Sequence, residues 1–256
     1  MNELIRRAIE LIGQARQAVA LTGAGLSTPS GIPDFRSPHT GLWANYNPME
    51  IATVHAFRHH SEDFFKWIRP LVQQMVEAQP NAAHRALVEL EKSGRLATVI
   101  TQNIDGLHQR AGAADVVELH GNIYTATCVR CYRVFASDVF LRALIEEGHI
   151  PVCPVCGNLL KPNVILFGEA LPVQAVLAAR RAVLQCDLMI VAGSSLEVAP
   201  AADLPVLALQ RHVPVIIINR DRTYLDDQAE IVIAGNLADV LPAIAAGLTP
   251  SYPPDF

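Results

Sequence analysis

Cysteine is scarce in this chain, at five in 256 residues. Four of the five sit in two Cys-x-x-Cys pairs, and in a reducing compartment that spacing points to metal ligands before disulfides. Long apolar runs are missing. The longest, such as Val213 to Ile218 with Pro214 inside it, is strand-sized and far short of a membrane span. The first 20 residues carry Glu3, Glu10, Arg6, Arg7 and Arg16 where a signal peptide would have an apolar core, so a cytoplasmic protein is expected. Positive charge is also short: 20 Lys and Arg against 25 Asp and Glu leave a net charge of -5. That balance, with a pI near 6.0, argues against a broad surface for phosphate backbones, though a small basic groove remains compatible with it. No internal repeat or low-complexity tract is present.

What is present is a substantial apolar fraction, 51%, with 18% charged residues, the balance of a globular chain. The length suits one large domain, or one with a modest insertion. Residues 2–16 carry Leu4, Ile5, Ala8, Ile9, Leu11 and Ile12 at helical spacing. Residues 17–23 read as a buried strand. Residues 81–93 read as a helix capped by Asn81 and ended by Gly94. Further strands are expected at 96–101, 116–119, 187–193, 213–219 and, more weakly, 230–233. Helices are expected at 172–185, with Pro172 in the first turn, and at 236–247. Strands separated by helix-length segments imply crossovers. The expected fold is therefore α/β, a Rossmann-like parallel sheet with helices on both faces. Two stretches break the rhythm, an aromatic and histidine-rich one at 36–80 and a cysteine-bearing one at 124–162. Together they are read as a smaller helical and zinc-binding module beside a large part made of 1–35, 81–123 and 163–256.

Cys128-Val-Arg-Cys131 and Cys153-Pro-Val-Cys156 are separated by 21 residues. Each pair can form a knuckle with two thiolates aimed at one ion, and four thiolates close a tetrahedron around zinc. An all-cysteine site keeps no position for water, so the expected Zn2+, one per chain, is structural. Cys186, alone beside an apolar strand, reads as a small buried residue.

Four polar segments fall at predicted strand ends, where ligands bind in an open α/β sheet. They are Leu21 to Ser37, Thr101 to Asp105, Leu119 to Asn122 and Gly193 to Ser195. Asn219, after a fifth strand, can offer an amide. Singly each has an ordinary structural reading: a tight turn, a structural histidine, a helix cap at Asp105. Their recurrence at successive strand ends is the informative signal. The first segment opens with Gly23-Ala24-Gly25 but lacks the third glycine of a dinucleotide fingerprint, placing Thr28 there and running on to Asp34-Phe35-Arg36.

These residues carry a resemblance. Gly23-Ala24-Gly25-Leu26-Ser27, Gly31 to Arg36, Thr101 to Asp105, His120-Gly121, the two cysteine pairs, Lys161 to Val164, Phe167-Gly168-Glu169 and Gly193 to Ser195 resemble the sirtuins from about residue 18 to residue 245, most of all the compact bacterial and archaeal members. The sirtuins are NAD-dependent protein lysine deacylases, so the resemblance implies NAD as co-substrate. It implies that Ala24, Gly25 and Thr28 line the phosphate and ribose path. Phe35 shields the ribose carbon from water and from returning nicotinamide, Arg36 helps to order the loop and the phosphates, and Asp34 is a further cofactor-binding residue. Asn103, Ile104 and Asp105 form the nicotinamide pocket, with Asp105 accepting from the carboxamide, and Gln102 beside them also binds the cofactor. Gly193, Ser194, Ser195, Asn219 and, more loosely, the backbone of Leu237 hold the adenosine half. Asn219-Arg220-Asp221 departs from the commoner acidic pattern, which leaves the adenine contacts open.

By the same resemblance His120 is the general base, with Asn103 beside it in the catalytic set. Imidazole titrates near neutrality and can take a proton from a ribose hydroxyl. The acyl oxygen attacks the ribose carbon to give an imidate, which the 2′-hydroxyl captures before water completes the reaction. The products are free lysine, nicotinamide and O-acyl-ADP-ribose. Val164, Phe167, Gly168 and Glu169 resemble the strand that pairs with an extended acyl-lysine peptide, a mode that accepts varied sequences.

A dehydrogenase would want the third glycine and an acid about twenty residues on. A zinc-ribbon nucleic-acid module would want more basic residues than Arg130, Arg133 and Lys161. Mono-ADP-ribosyl transfer shares the NAD chemistry and stays open, as does a preference for longer acyl groups. Relatives that remove succinyl place a Tyr and, three residues later, an Arg in the helix after the Asp-Phe-Arg loop. The corresponding stretch, 61–75, has no tyrosine and offers Ile68 and Leu71 at those places, with Arg69 one residue away. Acetyl is thus expected ahead of succinyl. A monomer, no membrane and no direct nucleic-acid contact complete the expectations.

Overall fold

The computed structural model of the chain describes residues 3–34, 41–42 and 47–248. The large part is a six-stranded parallel sheet of β1 (Ala18–Thr22), β2 (Leu96–Thr101), β3 (Val116–Glu118), β7 (Leu188–Ala192), β8 (Val215–Asn219) and β9 (Ile231–Ala234), in the spatial order β3-β2-β1-β7-β8-β9. The order reverses between β1 and β7. Connections leaving these two strands diverge there and open a crevice at the carboxyl ends of the strands.

The central strands are apolar along their whole length because both faces are covered. Ala18 and Ala20 of β1, Leu188 and Ile190 of β7, and Ile216 and Ile218 of β8 pack under α1 (Glu3–Gln14), α5 (Ala82–Lys92) and α10 (Leu237–Leu248). The alternate residues Val19, Leu21, Met189, Val191, Val215 and Ile217 face α8 (Val173–Gln185) and α9 (Asp203–Gln210). Burying each such Val, Leu or Ile stabilises the fold by about 1.5–3 kcal/mol. Asn81 caps α5 as expected, accepting from the N–H of Ala83 at 2.8 Å. Pro172 is the N-cap of α8 and not part of its first turn. Helix α9 was not expected from the sequence. Leu204, Pro205 and Ala208 are buried and Val206, Leu207 and Leu209 are partly so, leaving little of the polar face that a 3.6-residue period would show.

The smaller module joins α2 (Pro48–Ile51), α3 (Val54–His59) and α4 (Ser61–Glu77) to a three-stranded sheet of β4 (Gly121–Cys128), β5 (Val134–Ala136) and β6 (Leu160–Val164), in the order β5-β4-β6, with α7 (Asp138–Glu147) between β5 and β6. Its sheet reaches three residues before 124 and two beyond 162. The module's core holds Phe57, Phe64 and Phe65, whose rings meet edge to face at centroid distances of 5.4 to 6.0 Å. Such pairs add about 0.5–1.5 kcal/mol beyond area burial. Among the described residues no helix is long and apolar enough to cross a membrane.

Candidate active site

After β1 the chain makes two short 3-10 turns, Ala24–Leu26 and Thr28–Ser30, and no regular helix. The first turn is pressed against the end of β7. Gly23 N–H donates to Ala192 O at 3.1 Å and Gly25 N–H to Gly193 O at 2.9 Å. A Cβ on Gly25 would lie 2.9 Å from Gly193 Cα, and one on Gly193 would lie 2.4 Å from Leu26 N. Side chains are excluded from this rim by contact, which keeps it backbone-lined. The Thr28 hydroxyl donates back to Gly25 O at 3.1 Å and braces the turn. Asp34 is half-buried and its carbonyl accepts from Leu42 N–H at 2.9 Å. Phe35 and Arg36 lie outside the described residues.

At the end of β2 the sequence Thr101 to Asp105 turns inward. Asn103 is buried, and its side-chain amide donates to Gly23 O and to Ser27 Oγ, both at 3.1 Å. Ser27 Oγ in turn donates to Asp105 at 2.7 Å, and the other Asp105 oxygen accepts from Leu107 N–H at 2.9 Å. Asp105 precedes Gly106, the N-cap of the short α6 (Leu107–Ala111), and burial raises its carboxyl above the ordinary aspartate value, the two bonds opposing that shift. Ile104 is half-buried beside it.

His120 lies in the turn between β3 and β4. Its Nδ1 is 2.9 Å from Gln102 O, and a carbonyl can only accept, so Nδ1 carries the proton and Nε2 keeps the lone pair. Burial lowers the imidazole pKa, with the Gln102 bond opposing it, which favours the neutral ring. Gly121 has φ +70, and a Cβ there would lie 1.8 Å from Asn163 O, so only glycine lets β4 start this close to β6. His120 O accepts from Ile165 N–H at 2.9 Å.

Gln102, Ser194 and Asn219 form a hydrogen-bonded chain across strand ends. Gln102 Nε2 donates to Ser194 Oγ at 2.8 Å, and Asn219 Nδ2 donates to Ser194 O at 2.6 Å. The Asn219 donor therefore orients the loop after β7. Ser195 is exposed, and the buried Leu237 side chain packs under Gly193. Val164 closes β6; Phe167 makes a parallel bridge to Thr53, with its N–H donating to Ala52 O at 2.9 Å and its carbonyl accepting from Val54 N–H at 3.0 Å. Gly168 is exposed with φ +88. Glu169 accepts from Leu166 N–H at 2.9 Å and pairs with Lys161 at 2.9 Å, while the same ammonium donates to Val164 O at 2.7 Å.

Several participants went unread in the sequence. Ser27 links Asn103 to Asp105. Behind them Thr101 Oγ1 accepts from Asn103 N–H at 3.0 Å and from the Thr22 hydroxyl at 2.9 Å. His108 Nε2 is 2.9 Å from Thr22 Oγ1. With the hydroxyl proton already given to Thr101, Nε2 is the donor in that bond. His84 stands against His108 at a centroid distance of 5.1 Å, both fully buried. Ser27 and Thr101 stand within sequence motifs, yet no local pattern gives their partners or marks Thr22, His84 and His108, because those partners are distant in sequence.

Cys128, Cys131, Cys153 and Cys156 bring all four Sγ atoms within 4.8 Å of one another, with Cys128–Cys156 at 3.4 Å and Cys131–Cys153 at 3.7 Å. A zinc tetrahedron with Zn–S near 2.3 Å has sulfur pairs roughly 3.8 Å apart, so the set fits that ion. Cys186 is buried apart from them.

Residues 23–200 match the model of the Sir2 family. An NAD-dependent protein deacetylase 1 of Geobacillus kaustophilus is 45% identical over 222 residues, covering 87% of this chain and 89% of that protein. An NAD-dependent protein deacetylase of Thermodesulfovibrio yellowstonii is 44% identical over 240 residues, covering 94% of this chain and 93% of its own length. A solved Sir2–p53 peptide–NAD+ structure superposes with a TM-score of 0.87 at 37% identity, over 96% of this chain and 98% of that one. With this fold, this four-thiolate cluster and these similarities, the chain belongs to the Sir2 family, the sirtuins.

Proposed function

We propose that this chain is an NAD-dependent protein lysine deacetylase, transferring the acetyl group of acetyl-lysine to ADP-ribose with release of nicotinamide. The observation that carries this reading is the buried cluster Gly23–Ser27–Asn103–Asp105 beside His120, on a chain whose relatives are named NAD-dependent protein deacetylases. The backbone-lined rim at Gly25 and Gly193 suits the close approach of a pyrophosphate. Ala24, Gly25 and Thr28 would hold the phosphates and ribose, and Gly193, Ser194, Ser195, Asn219 and Leu237 the adenosine half. Asn103, Ile104 and Asp105 would form the nicotinamide pocket, with Gln102 and Asp34 as further cofactor-binding residues, Phe35 shielding the ribose carbon and Arg36 helping to order the phosphates.

NAD, when bound, supplies the ribose carbon that accepts the acyl oxygen. The chain's own part is to orient and to move one proton. Asn103 is held from three sides, by Thr101, Gly23 and Ser27, so its amide enters the reaction already fixed. His120, neutral and with Nδ1–H tied to Gln102, offers Nε2 to a ribose hydroxyl as general base. Asp105, buried against Ser27, offers an acceptor to a carboxamide. Val164, Phe167, Gly168 and Glu169 would take the extended peptide, the Lys161–Glu169 pair bracing their turn. Cys128, Cys131, Cys153 and Cys156 would hold one Zn2+, which would supply structure to β4, β5 and β6 and leave the chemistry to the other sites.

The same proposal treats the chain as one catalytic domain, with a large Rossmann-like part of residues 1–35, 81–123 and 163–256 and a small module formed by 36–80 (helical) and 124–162 (zinc ribbon). It has the protein acting as a cytoplasmic monomer on acyl-lysine proteins or peptides, without direct nucleic-acid contact. Incubation with NAD and an acetyl-lysine peptide, followed by mass spectrometry, tests it. O-acetyl-ADP-ribose with free lysine supports it. An ADP-ribosylated peptide that retains its acetyl group would replace it with mono-ADP-ribosyl transfer.

A further inference from the structure

His55 and His59 stand one helical turn apart on α3, both exposed, with ring centroids 4.5 Å apart and planes inclined by 42°. Positions i and i+4 share a helix face, the spacing by which two imidazoles on a helix chelate one ion. An ion held at about 2.1 Å by one nitrogen of each ring, with a ring–ion–ring angle of roughly 90–110°, puts the centroids about 4.6–5.3 Å apart. The observed 4.5 Å lies at the short edge of that range, so a small rotation of either ring on the helix as it stands reaches it. His60 lies past the end of the helix, with its centroid 6.5 Å from that of His55, too far to replace either partner without rearrangement.

We propose that His55 and His59 form a second metal site, taking one divalent transition ion such as Zn2+ or Ni2+ with water completing its coordination, separate from the four-cysteine cluster. Imidazole suits these ions, whereas the thiolate set retains zinc more strongly as the softer donor group. The site lies at the margin of the smaller module. Helix α3 begins at Val54, whose N–H donates to Phe167 O at 3.0 Å, so the ion would sit on the helix that adjoins the proposed peptide-pairing segment. Its existence does not depend on that functional reading, because the test below reads binding and not turnover.

Tag-free protein carrying its cysteine-bound zinc is titrated with Ni2+ by calorimetry, alongside His55→Ala, His59→Ala and His60→Ala, with zinc content measured before and after. The expected result is one Ni2+ per chain bound in the micromolar range with the zinc retained. Loss of either His55 or His59 removes one of two protein ligands and weakens it at least about tenfold, the lower end of what even outer-shell changes cost, and His60→Ala leaves it within about twofold. Ni2+ should also raise the thermal midpoint of the parent and not that of His59→Ala, since a ligand bound only to the folded state stabilises it. Absence of the added ion, binding unchanged in His59→Ala, an equal loss in His60→Ala, or Ni2+ uptake matched by zinc release would each overturn the assignment.

Discussion

Acid should unfold this protein through two histidines that lie behind the site. His84 and His108 are fully buried, and burial holds their pKa values down to about 3 and about 4, with the neighbouring His108 and Arg85 adding to the depression at His84. Each ring has one nitrogen without a hydrogen-bond partner, His84 Nε2 and His108 Nδ1, so neither has an anion to stabilise a second proton. In the unfolded chain both titrate near 6.5. Their folded values are lower, so the stability they contribute is fully present above about pH 6.5 and is lost as pH falls toward the folded values. At pH 5 the unfolded chain binds nearly two more protons than the native one at these sites. That costs about 2 kcal/mol per histidine and about 4 kcal/mol together, relative to pH 8. This is a large part of the roughly 5–15 kcal/mol by which domains are stable. Zinc release and Asp105, whose raised pKa works in the opposite direction, also respond to acid, so the decisive measurement is a difference. In His108→Gln an amide can still donate to Thr22 but cannot take a proton. Urea unfolding of both proteins at pH 8, 6 and 5 should show the pH 8-to-5 loss smaller by about 2 kcal/mol in the variant, whatever its absolute stability. Parallel stability curves for the two proteins would refute the reasoning.

Replacing His120 by Ala removes one bond, to Gln102 O, and should keep the fold and NAD binding while lowering deacetylation by roughly 10²–10⁴-fold; near-normal turnover would remove it from the mechanism. Because burial lowers its pKa, the acid limb of kcat/KM in the parent should fall below the usual histidine value of about 6.5, and a limb above that value would contradict the assignment. Cys128→Ala or Cys153→Ala opens the tetrahedron, so metal analysis should find the zinc lost and amide exchange should rise across β4, β5 and β6; a full zinc equivalent in active variant protein would count against a structural site. Succinyl-lysine should be processed far more slowly than acetyl-lysine. Ile68 and Leu71 are buried in the module's core, and the Arg69 guanidinium is spent on Ile145 O at 2.7 and 3.1 Å and on Glu146 O at 3.3 Å, capping α7. An acyl carboxylate would then lie stranded at a cost of several kcal/mol, about 2–7 for even a neutral polar group. Side-by-side assays on one peptide decide this, and faster desuccinylation would end the claim.

The sequence by itself determined the parts of this protein that are written locally. Doubly covered strands such as Leu188–Ala192 are apolar throughout, Asn81 announces its helix, and two cysteine knuckles name their metal through ligand chemistry and spacing. Each of these signals spans a few residues, the range over which backbone periodicity and chelation act. Strand order was not legible, because β1 pairs with β2 and with β7 through hydrogen bonds that do not depend on which apolar side chains are used. Nor was the fate of individual polar groups. Ser27 and Asn103 meet across 76 positions, Gln102 and Ser194 across 92, and Thr22 and His108 across 86. The tertiary structure likewise decided that Asn219 gives its amide to Ser194 and that Arg69 caps a helix. A polar side chain withdrawn from water takes whatever partner the packing of distant elements brings within about 3 Å. That choice is made only when the sheet has closed and the smaller module has docked against it.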